Sequence, residues 1–127
     1  MNYKVYLTWE EVDDLVNILK QKVLDELPEI GSVMGIARGG LIPAVMLSHK
    51  LGVPYTNLID PNTLVVDDIC DSGETLKNAP GVYHAVLHYK PHTSCVAPTI
   101  WGKEVGDEWI VYPWERNDSR AIQDYKL

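Results

Sequence analysis

An α/β fold, a mostly parallel central sheet flanked by helices with a small C-terminal hood, is predicted by three observations. Strand-like and helix-like stretches alternate along the chain. One run, Thr63-Leu64-Val65-Val66, has the nearly continuous apolar character of a parallel strand covered on both faces. Turns containing glycine follow two of the predicted strands at the points where helices begin. The chain has 127 residues, of which 46% are apolar and none is Phe. A chain of this size buries about 65–70% of its unfolded surface, enough to build one core without disulfides or metal staples. Residues 1–127 are therefore expected to form a single domain, with the hood at about 90–115.

Each element has its own local reason. Residues 4–7 form a short β-prone run, and Thr8-Trp9-Glu10-Glu11 then has the form of a capping box, in which Thr8 and Glu11 satisfy each other's free backbone N–H groups. The helix that starts there carries the apolar stripe Val12, Leu15, Val16, Leu19, Val23 and Leu27, spaced near 3.6 residues, and Pro28 closes it. Residues 31–36 read as a short buried strand that breaks at Arg38-Gly39-Gly40. A second helix is predicted over 41–51, with Pro43 tolerated in its first turn and Gly52 just past its end. Residues 53–57 are a candidate strand, Pro61-Asn62 a turn, and 63–66 the buried strand, which ends in Asp67-Asp68. A very short helix at about 76–78 stops at Pro80-Gly81, and 82–89 form another strand. From Lys90 onward the pattern turns irregular and holds Trp101, Trp109 and Trp114, which reads as a lobe folded over the sheet. Residues 116–127 are polar and expected to be mobile.

Charge and cysteine usage narrow the function classes. Eleven Lys and Arg against 18 Asp and Glu give a net charge of −7, the wrong sign for a nucleic-acid or anionic-membrane binder, which needs clustered positive charge. An anionic ligand must therefore be held by local chemistry. Cys70 and Cys95 show no metal-ligand spacing and suit a reducing compartment. Met1-Asn2-Tyr3-Lys4 does not open a targeting segment, and no stretch approaches the ~18 apolar residues of a membrane span, so a soluble cytoplasmic protein is expected. His49, His84, His88 and His92 have no metal-ligand spacing and read as satisfied or solvated side chains; Trp9 reads as a staple at the first helix.

The run Leu64-Val65-Val66-Asp67-Asp68-Ile69-Cys70-Asp71-Ser72-Gly73-Glu74-Thr75-Leu76 carries the chemistry. It delivers a strand end, where open α/β sheets bind ligands, and places paired carboxylates there that can accept bonds from vicinal hydroxyls and hold a hard cation such as Mg²⁺. Ser72-Gly73-Glu74-Thr75 then offers hydroxyls and backbone N–H groups to an anion as the chain enters a helix. The whole run resembles the phosphoribosyl pyrophosphate (PRPP) motif of the type I phosphoribosyltransferases. That resemblance implies that Asp67 and Asp68 face the ribose hydroxyls and the metal shell. It also implies that Asp71, Ser72, Gly73, Glu74 through its backbone N–H, and Thr75 form the 5′-phosphate loop, with Asp71 as general base near N7 of the incoming base and the Glu74 side chain turned to solvent.

Two further segments extend the resemblance. Gly35-Ile36-Ala37-Arg38-Gly39-Gly40-Leu41 leaves a strand and enters a helix, and is similar to the pyrophosphate loop of the purine branch. This implies a strained Ala37–Arg38 peptide in the cis form, with the N–H groups of Ala37, Arg38, Gly39 and Gly40 toward pyrophosphate and the Arg38 charge added to them. Lys90-Pro91 and Asp107-Glu108-Trp109-Ile110-Val111-Tyr112-Pro113-Trp114-Glu115 resemble the base pocket of the xanthine-guanine phosphoribosyltransferases. There Lys90 would read a 6-oxo group, Trp109 would stack the purine, and backbone groups around Ile110 would meet its 2-substituent. Glu115 takes the acidic place at the end of that segment and, with Asp68, is the candidate metal ligand.

The resemblance implies an enzyme that moves the phosphoribosyl group of PRPP to a 6-oxopurine with Mg²⁺, as a homodimer or tetramer, in purine salvage. It departs from the family at one place. The long flexible loop that closes over the reacting centre has only 55–63 to occupy here. A non-catalytic PRPP or nucleotide-binding regulatory module on the same fold is therefore the alternative reading.

Overall fold

The computed structural model describes residues 3–115, so the expectation for 116–127 lies outside the described residues. The elements run β1 (Lys4–Tyr6), α1 (Trp9–Glu26), β2 (Ser32–Gly35), α2 (Leu41–Leu51), β3 (Thr63–Cys70), α3 (Glu74–Asn78), β4 (Tyr83–Tyr89), β5 (Ile100–Glu104) and β6 (Trp109–Val111). A central sheet of order β2-β3-β4-β5 is parallel throughout, and β1 and β6 form a separate parallel pair. No helix among the described residues is long and apolar enough to cross a membrane.

The helices form for the reasons their sequences give. Thr8 Oγ1 accepts from the Glu11 N–H at 3.1 Å and Glu11 Oε1 accepts from the Thr8 N–H at 3.0 Å, closing the capping box at the start of α1. Its stripe, from Val12 to Val23 with Leu27 beyond the last turn, is buried against Val33, Leu64, Val66, Ala85 and Leu87 of the sheet and Ala44 and Leu47 of α2. Gly52 ends α2 at φ 70°, a left-handed conformation that costs glycine little. On the opposite side a smaller cluster of Cys70, Leu76 and Val86 is packed by Ile36, Val96 and Trp101.

Four expectations are corrected. Residues 53–57 make no strand; Tyr55 alone bridges to Val33, since Gly52, Pro54 and the Thr56-centred turn leave too few residues to extend the pairing. The buried strand does not stop at Asp67-Asp68 but runs to Cys70, because β4 continues alongside and pairs Ile69 with His88 and Cys70 with Tyr89. The short helix α3 begins at Glu74, two residues before the predicted start, directly after Gly73 at φ 85°. Finally, the stretch read as a lobe contributes β5 to the edge of the central sheet and β6 to β1. The edge position of β5 accommodates Lys103 and Glu104, which broke the alternation a strand reading needs.

Candidate active site

The three segments with chemical character leave the C-terminal ends of β2, β3 and β4; β3 and β4 end in register at Cys70 and Tyr89, and β2 stops earlier, opposite Val66. After β2 the Ala37–Arg38 peptide is cis, as expected. The loop folds tightly against β3: Ile36 N–H donates to the Val66 carbonyl at 2.8 Å and Gly40 N–H to the Ile36 carbonyl at 2.8 Å. The Gly40 amide is therefore tied back within the loop ahead of α2, which removes it from the four expected to face an anion. Ala37 and Arg38 are exposed, and Gly39 lies against Asp68: a Cβ at Gly39 would stand 2.5 Å from the Asp68 carboxyl carbon.

The acidic pair lies within β3. Asp67 is buried, and its Oδ1 accepts the Asp68 N–H at 2.8 Å; Asp68 is half-buried, and its Oδ1 accepts the Ile69 N–H at 2.8 Å. No group of three or more His, Cys, Asp or Glu gathers as a metal cage among the described residues. Two adjacent carboxylates suit Mg²⁺, which is held by one or two protein carboxylates while substrate oxygens and water fill the remaining positions. Glu115 and Asp68 are bonded to opposite ends of Tyr112. The Tyr112 hydroxyl donates to the Asp68 carbonyl at 3.0 Å, and the Tyr112 N–H donates to Glu115 Oε1 at 2.8 Å.

The loop after β3 borders a shallow recess lined by Ile69, Cys70, Asp71, Gly73, Thr75 and Leu76. Gly73 is required there twice over: its φ is 85°, and a Cβ would stand 2.9 Å from the Cys95 amide nitrogen. Ser72 Oγ accepts the Glu74 N–H at 3.3 Å, a long bond within the loop. The Glu74 residue is half-buried rather than fully turned to solvent.

Beside the recess Lys90 is 3% exposed, an unusual depth for an ammonium. Its Nζ stands 3.8 Å from Asp71 Oδ2 and 5.7 Å from the centroid of the Trp109 ring. One carboxylate, one ammonium and one aromatic face are thus brought together from three separate parts of the chain. Ile110 is buried in the main core, paired with Val5 in the β1–β6 register, so its backbone and not its side chain is what it can offer a ligand.

Three histidines have ordinary partners, and His49 is exposed, in line with the satisfied or solvated reading. His84 Nε2 meets the Pro80 carbonyl at 3.0 Å and His92 Nε2 meets Asp107 at 3.0 Å. His88 Nδ1 lies 2.7 Å from the Tyr112 hydroxyl. That hydroxyl already donates to a carbonyl, so Nδ1 carries the proton and donates to the Tyr112 oxygen. Burial above all lowers the His88 pKa to about 4, and burial raises the Tyr112 phenol well above its usual range. Cys70 is pushed up by burial, and both cysteines are free thiols.

Two residues near the site escaped the sequence reading. Thr93 Oγ1 lies 2.9 Å from Asp71 Oδ1, and Ser94 Oγ 2.6 Å from the Asp71 carbonyl. Their only sequence signal is a hydroxyl pair shortly after Lys90-Pro91.

No protein-family model matches the chain. A purine phosphoribosyltransferase structure from Pyrococcus horikoshii superimposes with a TM-score of 0.78 and 32% identity, covering 92% of this chain and 97% of that one. The chain belongs to the purine phosphoribosyltransferases. Xanthine-guanine phosphoribosyltransferase of Cereibacter sphaeroides is 24% identical over 87% of this chain and 86% of its own length. Xanthine-guanine-hypoxanthine phosphoribosyltransferase of Helicobacter pylori shares the fold at a TM-score of 0.75 and 20% identity, over 89% of this chain and 94% of that one. The purine phosphoribosyltransferase fold is therefore built here with a very short connection between α2 and β3, only residues 52–62.

Proposed function

We propose that the protein transfers the 5-phosphoribosyl group of PRPP to N9 of a 6-oxopurine, guanine, xanthine or hypoxanthine, in purine salvage. The observation that carries this reading is the buried Lys90 ammonium set between the Asp71 carboxylate and the Trp109 ring. A 6-oxopurine presents O6 and N7 on one edge. A donor beside an acceptor, next to an aromatic face, matches an oxo group, a ring N–H and a flat heterocycle. The relatives named xanthine-guanine phosphoribosyltransferase support the same class.

In this reading the Ser72, Gly73, Glu74 and Thr75 turn that leads into α3 holds the 5′-phosphate, and Asp67 and Asp68 take the ribose hydroxyls. The exposed Ala37-Arg38 peptide, with Gly39, takes the diphosphate, and the Arg38 charge offsets the charge that develops on it. The C1′–O bond breaks with its electron pair leaving on the diphosphate, N9 bonds to C1′, and the N7 proton passes to Asp71. Lys90 donates to O6 as the ring loses that proton. Asp68, with Asp67 or Glu115, would hold Mg²⁺, which would supply charge neutralisation at the diphosphate. Cytoplasmic residence and assembly as a dimer or tetramer belong to the same proposal; light scattering tests the assembly.

The test is pyrophosphate release from PRPP, Mg²⁺ and each of the three bases, with Asp71→Asn as the control. Removal of a general base is expected to cost roughly 10²–10⁴-fold in kcat. Nucleotide binding by calorimetry with no release above the Asp71→Asn level would support the non-catalytic module instead.

A further inference from the structure

The turn after β4 straps the loop that carries Asp71. In that turn the Thr93 and Ser94 N–H groups both donate to the Lys90 carbonyl, at 3.3 and 3.1 Å, and the Cys95 N–H donates to the Ser72 carbonyl at 2.8 Å. Ser94 Oγ lies 2.6 Å from the Asp71 carbonyl, 2.8 Å from that of Lys90 and 3.0 Å from that of Cys70, fastening the turn to the ends of β3 and β4. Thr93 Oγ1 stands 2.9 Å from Asp71 Oδ1 and 2.9 Å from the Asp71 carbonyl oxygen. A third acceptor, the Lys90 carbonyl, is farther away at 3.5 Å, and of the two near ones the charged carboxylate forms the stronger bond with the single proton. The second carboxylate oxygen, Oδ2, lies on the Lys90 side, 3.8 Å from Nζ.

We propose that Thr93 is a positioning residue for Asp71, holding Oδ1 so that Oδ2 is the oxygen presented to the purine beside the Lys90 ammonium. The proposal rests on the reading of Asp71 as the group that takes the base proton. The torsion that turns a carboxylate about its own axis is broad and two-fold, so an aspartate fixed only at its backbone can swing its acceptor away from a ring N–H. Lys90 does not cure this, because an ammonium is a compact charge with little directional demand. A hydroxyl donating along one lone pair fixes the carboxylate plane, and Ser94 fixes the backbone beneath it. Because the strap springs from the residues just after Lys90, the donor and the acceptor that meet the base edge are set by one piece of chain.

Steady-state kinetics with PRPP, Mg²⁺ and guanine on the full chain test this. Thr93→Val removes the hydroxyl while keeping the shape, and Thr93→Ser keeps the hydroxyl. Thr93→Val is expected to lower kcat about tenfold, the loss of one hydrogen bond to a charged group, with KM for PRPP within about twofold. Thr93→Ser is expected to recover most of that loss. In an Asp71→Asn background, read by incorporation of radiolabelled base, Thr93→Val is expected to cost nothing further. Wild-type kcat in Thr93→Val, an equal loss in Thr93→Ser, or the same tenfold loss in the Asp71→Asn background would each overturn the proposal. Thr93 is exposed, so folding is not at issue, and thermal melting of each variant checks it. An Asp71→Asn enzyme as active as wild type removes the reading of Asp71 itself, an outcome distinct from a normal Thr93→Val beside a crippled Asp71→Asn.

Discussion

Gly39 and Gly40 are neighbours in the same loop, yet an added methyl meets different obstacles at the two positions. At Gly39 it would run into the Asp68 carboxylate, the mobile end of a side chain. At Gly40 it would collide with the Val66 carbonyl oxygen and stand 2.9 Å from the Asp67 Cα, which are backbone atoms of the central strand β3. Gly39→Ala can therefore be accommodated by turning Asp68 aside, whereas Gly40→Ala has to push β3 itself. The expected outcome is a separation of effects. Gly39→Ala should melt within a few degrees of wild type but lose on the order of 10²-fold in PRPP-dependent turnover, as a displaced site group does. Gly40→Ala should lose about 3 kcal/mol or more of stability in urea denaturation. Equal effects of the two substitutions on stability would contradict the packing of this loop.

At the scale of elements, the tie between β4, the segment after β6 and β3 is the buried pair His88 and Tyr112. Tyr112 donates to the Asp68 carbonyl and His88 donates to Tyr112, so β3, β4 and the segment after β6 share one hydrogen-bonded seam. His88 is neutral in the fold down to a pKa of about 4, against 6.5 ordinarily, chiefly because burial disfavours its charged form. Below pH 6.5 the unfolded chain binds a proton that the fold refuses, so stability falls as pH drops from 6.5 to about 4, by about 1.4 kcal/mol per unit at most. Urea melts of wild type and His88→Phe between pH 7 and 4.5 should diverge with that sign, wild type falling more steeply; parallel slopes would refute it. Neither this seam nor the Thr93 strap was legible in the sequence, because both depend on β3 and β4 ending side by side. Ile69 pairs with His88 and Cys70 with Tyr89, contacts no local pattern announces. What was legible was local: the Thr8–Glu11 box, the stripe of α1, Gly52 at the end of α2, and the acidic and glycine loops whose residues lie consecutively in the chain. The edge strand β5 was missed for the opposite reason, since Trp101, Gly102, Lys103 and Glu104 carry no alternation and take their register from Ala85 to Tyr89.

For the molecule as a whole, the short connection before β3 sets a limit on how the site can be closed. Residues 56–62 bind themselves: Thr56 Oγ1 accepts the Leu58 N–H at 2.9 Å, Thr63 Oγ1 accepts the Asp60 N–H at 3.0 Å, and Asp60 Oδ1 accepts the Asn62 N–H at 2.7 Å. A segment so tied, at the N-terminal end of β3 where Thr63 opens the strand, is a turn and cannot reach over carboxylates that stand near the strand's other end. Lids in such sites exclude water from reactive intermediates. A phosphoribosyl centre that loses its diphosphate in a site this connection does not cover should be captured by water as well as by N9. Two consequences are expected in the same assay. Pyrophosphate should form slowly from PRPP and Mg²⁺ with no base present, and with base present the pyrophosphate formed should exceed the nucleotide formed. Heavy-oxygen water should then label the ribose 5-phosphate released, while Asp67→Asn, which under the proposed function weakens the hold on the ribose, should suppress both products together. One-to-one stoichiometry with no release in the absence of base would mean that water is excluded by something other than this connection.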